Sequence, residues 1–165
     1  MDVLTLLKKD HKAVGALLDR AINCEPEDPK LRDLAREIEE ALTVHAAIEE
    51  KYFYPALKKR AEDSEDKVDV FEAYAEHDVV KHLIALLTST RARDERFKAE
   101  VQVLAESVKH HVKEEESTIF ALARELLDAK ELNSLGATME RAKARLLGDA
   151  SAEPRRSKPA RKKAA

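Results

Sequence analysis

His45-Ala46-Ala47-Ile48-Glu49-Glu50 and His111-Val112-Lys113-Glu114-Glu115-Glu116 are two versions of one stretch, and their reading decides the fold. In each, a His is followed four residues later by a Glu, with a second Glu directly after. Sliding the chain by 66 residues brings far more into register: His11 falls on His77, His45 on His111, Glu49 on Glu115 and Glu50 on Glu116. The acid before the first His repeats as well, Asp10 onto Glu76, as do Val14 onto Val80 and Leu17 onto Leu83. In both halves the single His precedes the His-x-x-x-Glu pair by 34 residues.

Around these stretches the apolar residues recur at helical spacing. Leu4, Leu7, Val14, Leu18 and Ala21 flank His11 and predict a helix over residues 2–24. Glu25-Pro26-Glu27-Asp28-Pro29 ends it, with Asp28 placed as a cap and Pro29 as a first helical residue. A stripe of Leu34, Ile38, Leu42, His45, Glu49, Tyr52 and Ala56 predicts a second helix over residues 30–60, kinked or ended early by Pro55. Val70, Ala73, His77, Val80, Ile84 and Leu87 predict a third over residues 67–90. After a weak break at residues 91–95, Val101, Leu104, Val108, His111, Glu115, Thr118 and Leu122 predict a fourth over residues 96–128. A shorter fifth helix is expected over residues 130–147. Long helices with short connections make the fold class all-α: an antiparallel up-down-up-down four-helix bundle with a short fifth helix.

The totals agree with that class. Of 165 residues, 38% are charged and only three are Gly, as an all-helical protein requires. Residues 1–148 are expected to form one bundle domain, and residues 149–165 a disordered tail. That tail holds Arg155, Arg156, Lys158, Arg161, Lys162 and Lys163 against Asp149 and Glu153, so the acidic excess lies in the body. The tail is short and has no aromatic residue for base stacking, so nucleic-acid recognition is not expected and a solubilising role is. No apolar run approaches the ~20 residues that cross a bilayer, and no signal peptide is evident, which makes the cytoplasm the expected location. Cys24 is the single cysteine and excludes an internal disulfide.

The spacing of 34 places the histidines. His11 climbs to the Pro-rich turn and the next helix descends as far to His45, so both sit at one level of an antiparallel hairpin. The same holds for His77 and His111, and each Glu at i+4 lies one turn further on the same face. Four imidazoles and two carboxylates thus interrupt apolar stripes in one bundle layer. For a lone His, a satisfied core position is the ordinary reading; six polar residues repeated at one offset point instead to metal ligands, because an unpaired buried carboxylate costs several kcal/mol. Two ions suit this set better than one, with two His each, the Glu residues bridging, and an oxide or hydroxide completing the bridge. Nitrogen and oxygen donors without thiolate favour iron, with manganese or zinc as alternatives. Each ion would keep room for an exogenous ligand.

Asp10-His11, His45-x-x-x-Glu49-Glu50 with Phe53-Tyr54-Pro55, Glu76-His77, and His111-x-x-x-Glu115-Glu116 with Phe120 resemble the hemerythrin-like cation-binding (HHE) family over about residues 2–147. The resemblance implies a carboxylate-bridged di-iron centre liganded by His11, His45, Glu49, His77, His111 and Glu115. Oxygen-carrying members have a fifth His one turn after the third-helix His, where this chain has Lys81. That speaks against reversible oxygen carriage and leaves a binding or sensing role toward oxygen, peroxide or nitric oxide; a peroxide-handling enzyme is the alternative. Lys81 is expected to cover one iron and to favour anionic ligands, and His82 to lie on the surface. Glu50, Glu114, Glu116 and His110 are expected off the ligand face, solvated or supporting the ligand histidines. Tyr52 lies closest to the ligand face of the two tyrosines, and packing is the expected role of both Tyr52 and Tyr54.

Overall fold

The structure is a computed structural model and describes residues 1–90 and 94–152. Seven α-helical segments follow in order: α1 (Val3–Ile22), α2 (Pro29–Ile48), α3 (Tyr54–Arg60), α4 (Ser64–Ser89), α5 (Glu95–Glu114), α6 (Phe120–Leu126) and α7 (Ala129–Ala152). α2 and α3 form one long rod joined by a π turn at Glu49–Phe53, and α5 and α6 another, joined by a π turn at Glu115–Ile119. The bundle therefore has four rods plus α7. α1 packs on α2 and α5, and α4 packs on α5 and α2, which closes the square; α7 lies against α1 and α2.

Acidic caps fix where the helices begin. Asp2 accepts from the Thr5 amide at 2.9 Å, Asp28 from Lys30 at 2.9 Å, and Asp63 from Asp66 at 2.9 Å. Each satisfies an orphan N–H of the first turn. Asp128 and Glu131 exchange side-chain to amide bonds at 2.8 and 3.0 Å, a reciprocal capping box that starts α7. Pro29 sits at the start of α2 beside its Asp28 cap, as its fixed φ favours.

Two boundaries differ from the sequence reading. The irregularity expected at Pro55 lies earlier, at Glu49–Phe53, where the Tyr54 amide reaches back to the Glu49 carbonyl. Pro55 then occupies the first turn of α3, where its missing N–H is least disruptive. The fifth helix is not short: α7 has 24 residues and runs past Gly148 to Ala152. One Gly lowers helix stability by only ~1 kcal/mol, and Asp149–Ala152 contain no breaker. The break expected at residues 91–95 and the tail expected to be disordered lie, for residues 91–93 and 153–165, outside the described residues.

The core is divided by the polar layer. On one side lie Leu7, Phe53, Tyr54, Phe120 and Met139, all fully buried. On the other lie Leu18, Leu31, Ile38, Phe97 and Leu104. Fully burying one such side chain stabilises by about 1.5–3 kcal/mol, so the two clusters clamp the layer from both ends.

Candidate metal centre

The histidines lie in pairs, one from each helix of a hairpin. His11 of α1 and His45 of α2 have ring centroids 4.9 Å apart, and His77 of α4 and His111 of α5 have theirs 4.6 Å apart. Glu49 and Glu115 are the first residues of the two π turns, one turn beyond His45 and His111. The structure brings all six predicted residues together in the interior, with Glu49 fully buried and Glu115 1% exposed.

Their donor atoms converge. His11 Nε2 is 3.0 Å from Glu115 Oε2, His45 Nε2 is 3.1 Å from Glu49 Oε2, and His77 Nε2 is 3.3 Å from that same Glu49 oxygen. His77 Nε2 and His111 Nε2 stand 3.1 Å apart. Yet His11 Nε2, His45 Nε2, both Glu49 oxygens and Glu115 Oε2 are buried without an aligned hydrogen bond. Close approach without hydrogen-bond geometry, by nitrogen and oxygen atoms that can each offer a lone pair to an ion, is the arrangement a cation resolves. Among the described residues, two groups can hold one: His11, His45, Glu49 and Glu115, with donor atoms within 4.8 Å of one another, and Glu49, His77 and His111 likewise. Glu49 belongs to both.

The outer ring nitrogens face carboxylates. Nδ1 of His11 meets Glu116 at 2.8 Å, that of His77 meets Glu50 at 2.9 Å, and that of His111 meets Glu76 at 2.7 Å. Nδ1 of His45 lies 3.7 Å from Asp10, which also pairs with Lys143 of α7. An Nδ1–H held by a carboxylate directs the Nε2 lone pair inward and makes the ring a better donor. Glu50 and Glu116 thus hold the outer nitrogens of His77 and His11 rather than standing in solvent. Asp10 and Glu76 were legible in the sequence through their repeat before His11 and His77, although that repeat by itself assigned them no role. Lys143 gave no sequence signal.

Burial and charge set the protonation of the layer. Burial opposes a charge on His11, but its contact with Glu115 outweighs burial and raises it to about 9. Burial drives His45 down to about 4 against the pull of Asp10. Burial also works to raise Glu115, yet the His11 contact and the nearby His charges hold it at about 2. Burial and the neighbouring Glu115 charge push Glu49 well above the carboxylate range. Two carboxylates in one dry layer do not both ionise without a balancing cation.

Tyr54 corrects the sequence reading. Its fully buried hydroxyl donates to Glu115 Oε1 at 2.9 Å and lies 3.1 Å from His77 Nε2, so it borders both donor groups. Burial and the two carboxylates push its phenol well above the ordinary range, so it stays protonated. At ~100° per residue an unbroken helix would aim Tyr52 toward the site and Tyr54 away. The π turn adds one residue, which rotates the remainder of the rod by ~100° and swings Tyr54 inward. Phe120, at the same place in the second copy, stacks on His11 with centroids 5.9 Å apart. Tyr52 is partly buried against the apolar core, with Lys51 Nζ 5.5 Å from its ring. His82 is exposed, as expected. His110 is 66% exposed and touches the outer oxygen of Glu76 at 3.2 Å. The half-exposed ammonium of Lys81 binds Glu50 at 2.6 Å, the carboxylate that also meets His77 Nδ1.

A helical bundle whose interior gathers His and Glu donors into two groups defines a cation-binding helical protein. The family described as hemerythrin HHE cation-binding domain matches residues 2–123, and the chain belongs to that family. It is similar to a protein named DNA nickase from Nostoc sp. (strain PCC 7120), 29% identical over 147 residues; these span 88% of this chain but only 40% of that relative's length. Its fold is similar to the crystal structure of a hemerythrin HHE cation-binding domain-containing protein from Mycobacterium kansasii, with a TM-score of 0.80 and 22% identity, covering 92% of this chain and 90% of the other. Among the described residues, no helix is long and apolar enough to cross a membrane.

Proposed function

We propose that this chain holds two iron ions, one on His11, His45, Glu49 and Glu115 and the other on Glu49, His77 and His111, and that the pair binds or senses a small ligand such as oxygen, peroxide or nitric oxide. The observation that carries the reading is the convergence of buried His nitrogens and carboxylate oxygens in two groups that share Glu49, with His11 Nε2, His45 Nε2, both Glu49 oxygens and Glu115 Oε2 left unpartnered. All donors are nitrogen or oxygen with no thiolate, a set that favours iron, with manganese or zinc as alternatives. Bound iron supplies redox change and open coordination positions. The chain supplies the rest. Carboxylates on Nδ1 orient the rings, the apolar clusters keep bulk water out, and Tyr54 holds a proton at Glu115 Oε1.

A peroxide-handling enzyme is the second reading. What favours it is the Tyr54 phenol, a protonated group bordering both donor sets and placed to give a proton to a ligand oxygen. The activity in the name of the Nostoc relative stays with that protein. The donor histidines here are at most 6% exposed, and a phosphodiester strand does not fit between the helices that bury them.

Metal analysis and an ultraviolet–visible spectrum of aerobically purified protein test the first reading. About two irons per chain are expected, lost for the most part in His45→Ala and Glu115→Ala and kept in His82→Ala and His110→Ala. Protein that takes up no ferrous iron under anaerobic loading, or equal loss in all four variants, would refute it.

A further inference from the structure

A cavity of about 260 Å³ lies between α2 and α4, beside the donor layer. Leu42, Ala46, Ala47, Val80, Ile84 and Val108 form its walls, and His45, His77 and His111 border its inner end. Thr43 and Lys81, both exposed, stand where it meets solvent. Its size comes from the two adjacent alanines of α2, where larger side chains would fill the gap to Val80 and Ile84.

The cavity is too large for a diatomic ligand alone. An apolar cavity of about 150 Å³ holds a benzene molecule, so this one takes a body of about ten non-hydrogen atoms. Apart from the histidines, its charged groups are Lys81 and Glu50, and these neutralise each other in a 2.6 Å bond. The walls therefore offer a ligand apolar contact and no second ionic anchor. A polar head that enters with the ligand meets the inner end, where His77 Nε2 and His111 Nε2 stand 3.1 Å apart.

We propose that this cavity binds the alkyl body of a small aliphatic ligand whose oxygen-donor head reaches the metal centre beside His77 and His111. The proposal rests on the metal-centre reading above. It makes the centre selective for apolar-tailed ligands, such as alkyl carboxylates or alkyl hydroperoxides, over their one-carbon and two-carbon counterparts.

The test uses acetate, butanoate and hexanoate as probes, titrated into metal-loaded protein and followed by the absorption of the centre and by calorimetry. Each added methylene is expected to tighten binding about fourfold, so hexanoate exceeds acetate by about 250-fold. Ala47→Leu and, on the opposite wall, Ile84→Trp should abolish the chain-length dependence while leaving acetate binding and metal content unchanged. Equal affinity for acetate and hexanoate in the unmodified protein would overturn the proposal, as would a chain-length dependence that survives in both variants. Failure of the metal reading shows separately, as protein that takes up no metal. n-Hexanol then reports on the cavity alone, by a thermal shift in the unmodified protein that is absent in Ala47→Leu, and no shift in either overturns the cavity as well.

Discussion

Glu76→Ala isolates what the outer carboxylates contribute. Glu76 Oε2 lies 2.7 Å from His111 Nδ1, the shortest of the four contacts between a site histidine and its acid, and the Glu76 side chain is only 18% exposed. Removing it frees the His111 ring to rotate and to place its proton on Nε2, the atom that faces the donor group. Loss of such a partner typically lowers metal affinity 10- to 100-fold, or about 1.4–2.7 kcal/mol. We expect Glu76→Ala near the upper end of that range, given its short contact and partial burial. Asp10→Ala should act on His45 more weakly, since that contact is 3.7 Å and outside hydrogen-bond range. The assay is competition for iron with a chromophoric chelator under anaerobic conditions, read beside the far-ultraviolet spectrum to confirm folding. His110→Ala is the control, because His110 touches the other oxygen of Glu76 from a side chain 66% exposed. Unchanged affinity in Glu76→Ala, or an equal loss in His110→Ala, would refute the reasoning.

In the metal-free protein, His11 and His45 make stability depend on pH in opposite senses on the two sides of 6.5. Between 6.5 and about 9 the folded protein keeps the His11 proton that the unfolded chain releases, so stability falls as pH rises, by up to about 3 kcal/mol. Between 6.5 and about 4 the unfolded chain protonates His45 while the folded one resists, so stability falls as pH drops. Urea midpoints at pH 5, 6.5 and 9 check both limbs, and the alkaline loss should vanish in metal-loaded protein, where an ion displaces the His11 proton. Gly136→Ala should lower Tm by several degrees, because a Cβ there would stand 2.7 Å from the Val3 nitrogen where α7 crosses the start of α1. Gly15→Ala, with nothing within 4 Å of its Cβ, should raise stability by about 0.5–1 kcal/mol; scanning calorimetry that moves both variants in one direction would contradict the contact.

The sequence by itself determined which residues meet. A repeat at 66 residues and a spacing of 34 within each half put His11, His45, His77 and His111 at one level, because helical rise and face periodicity are local properties of the chain. The i+4 relation carried Glu49 and Glu115 to the same layer, and Asp28 with Pro29 marked a helix start for the same local reason. Only the tertiary structure decided the rotation of the rods. The π turns at Glu49–Phe53 and Glu115–Ile119 shift everything after them by about one residue, ~100°, so Tyr54 and Phe120 enter the site while Tyr52 leaves it. Which carboxylate meets which ring also depends on contacts between rods: His11 finds Glu116 across 105 positions of sequence, and Lys143 of α7 finds Asp10 across 133. Neither distance is written in a periodicity. Both follow from how the helices pack, as does the gap left where Ala46 and Ala47 face Val80 and Ile84.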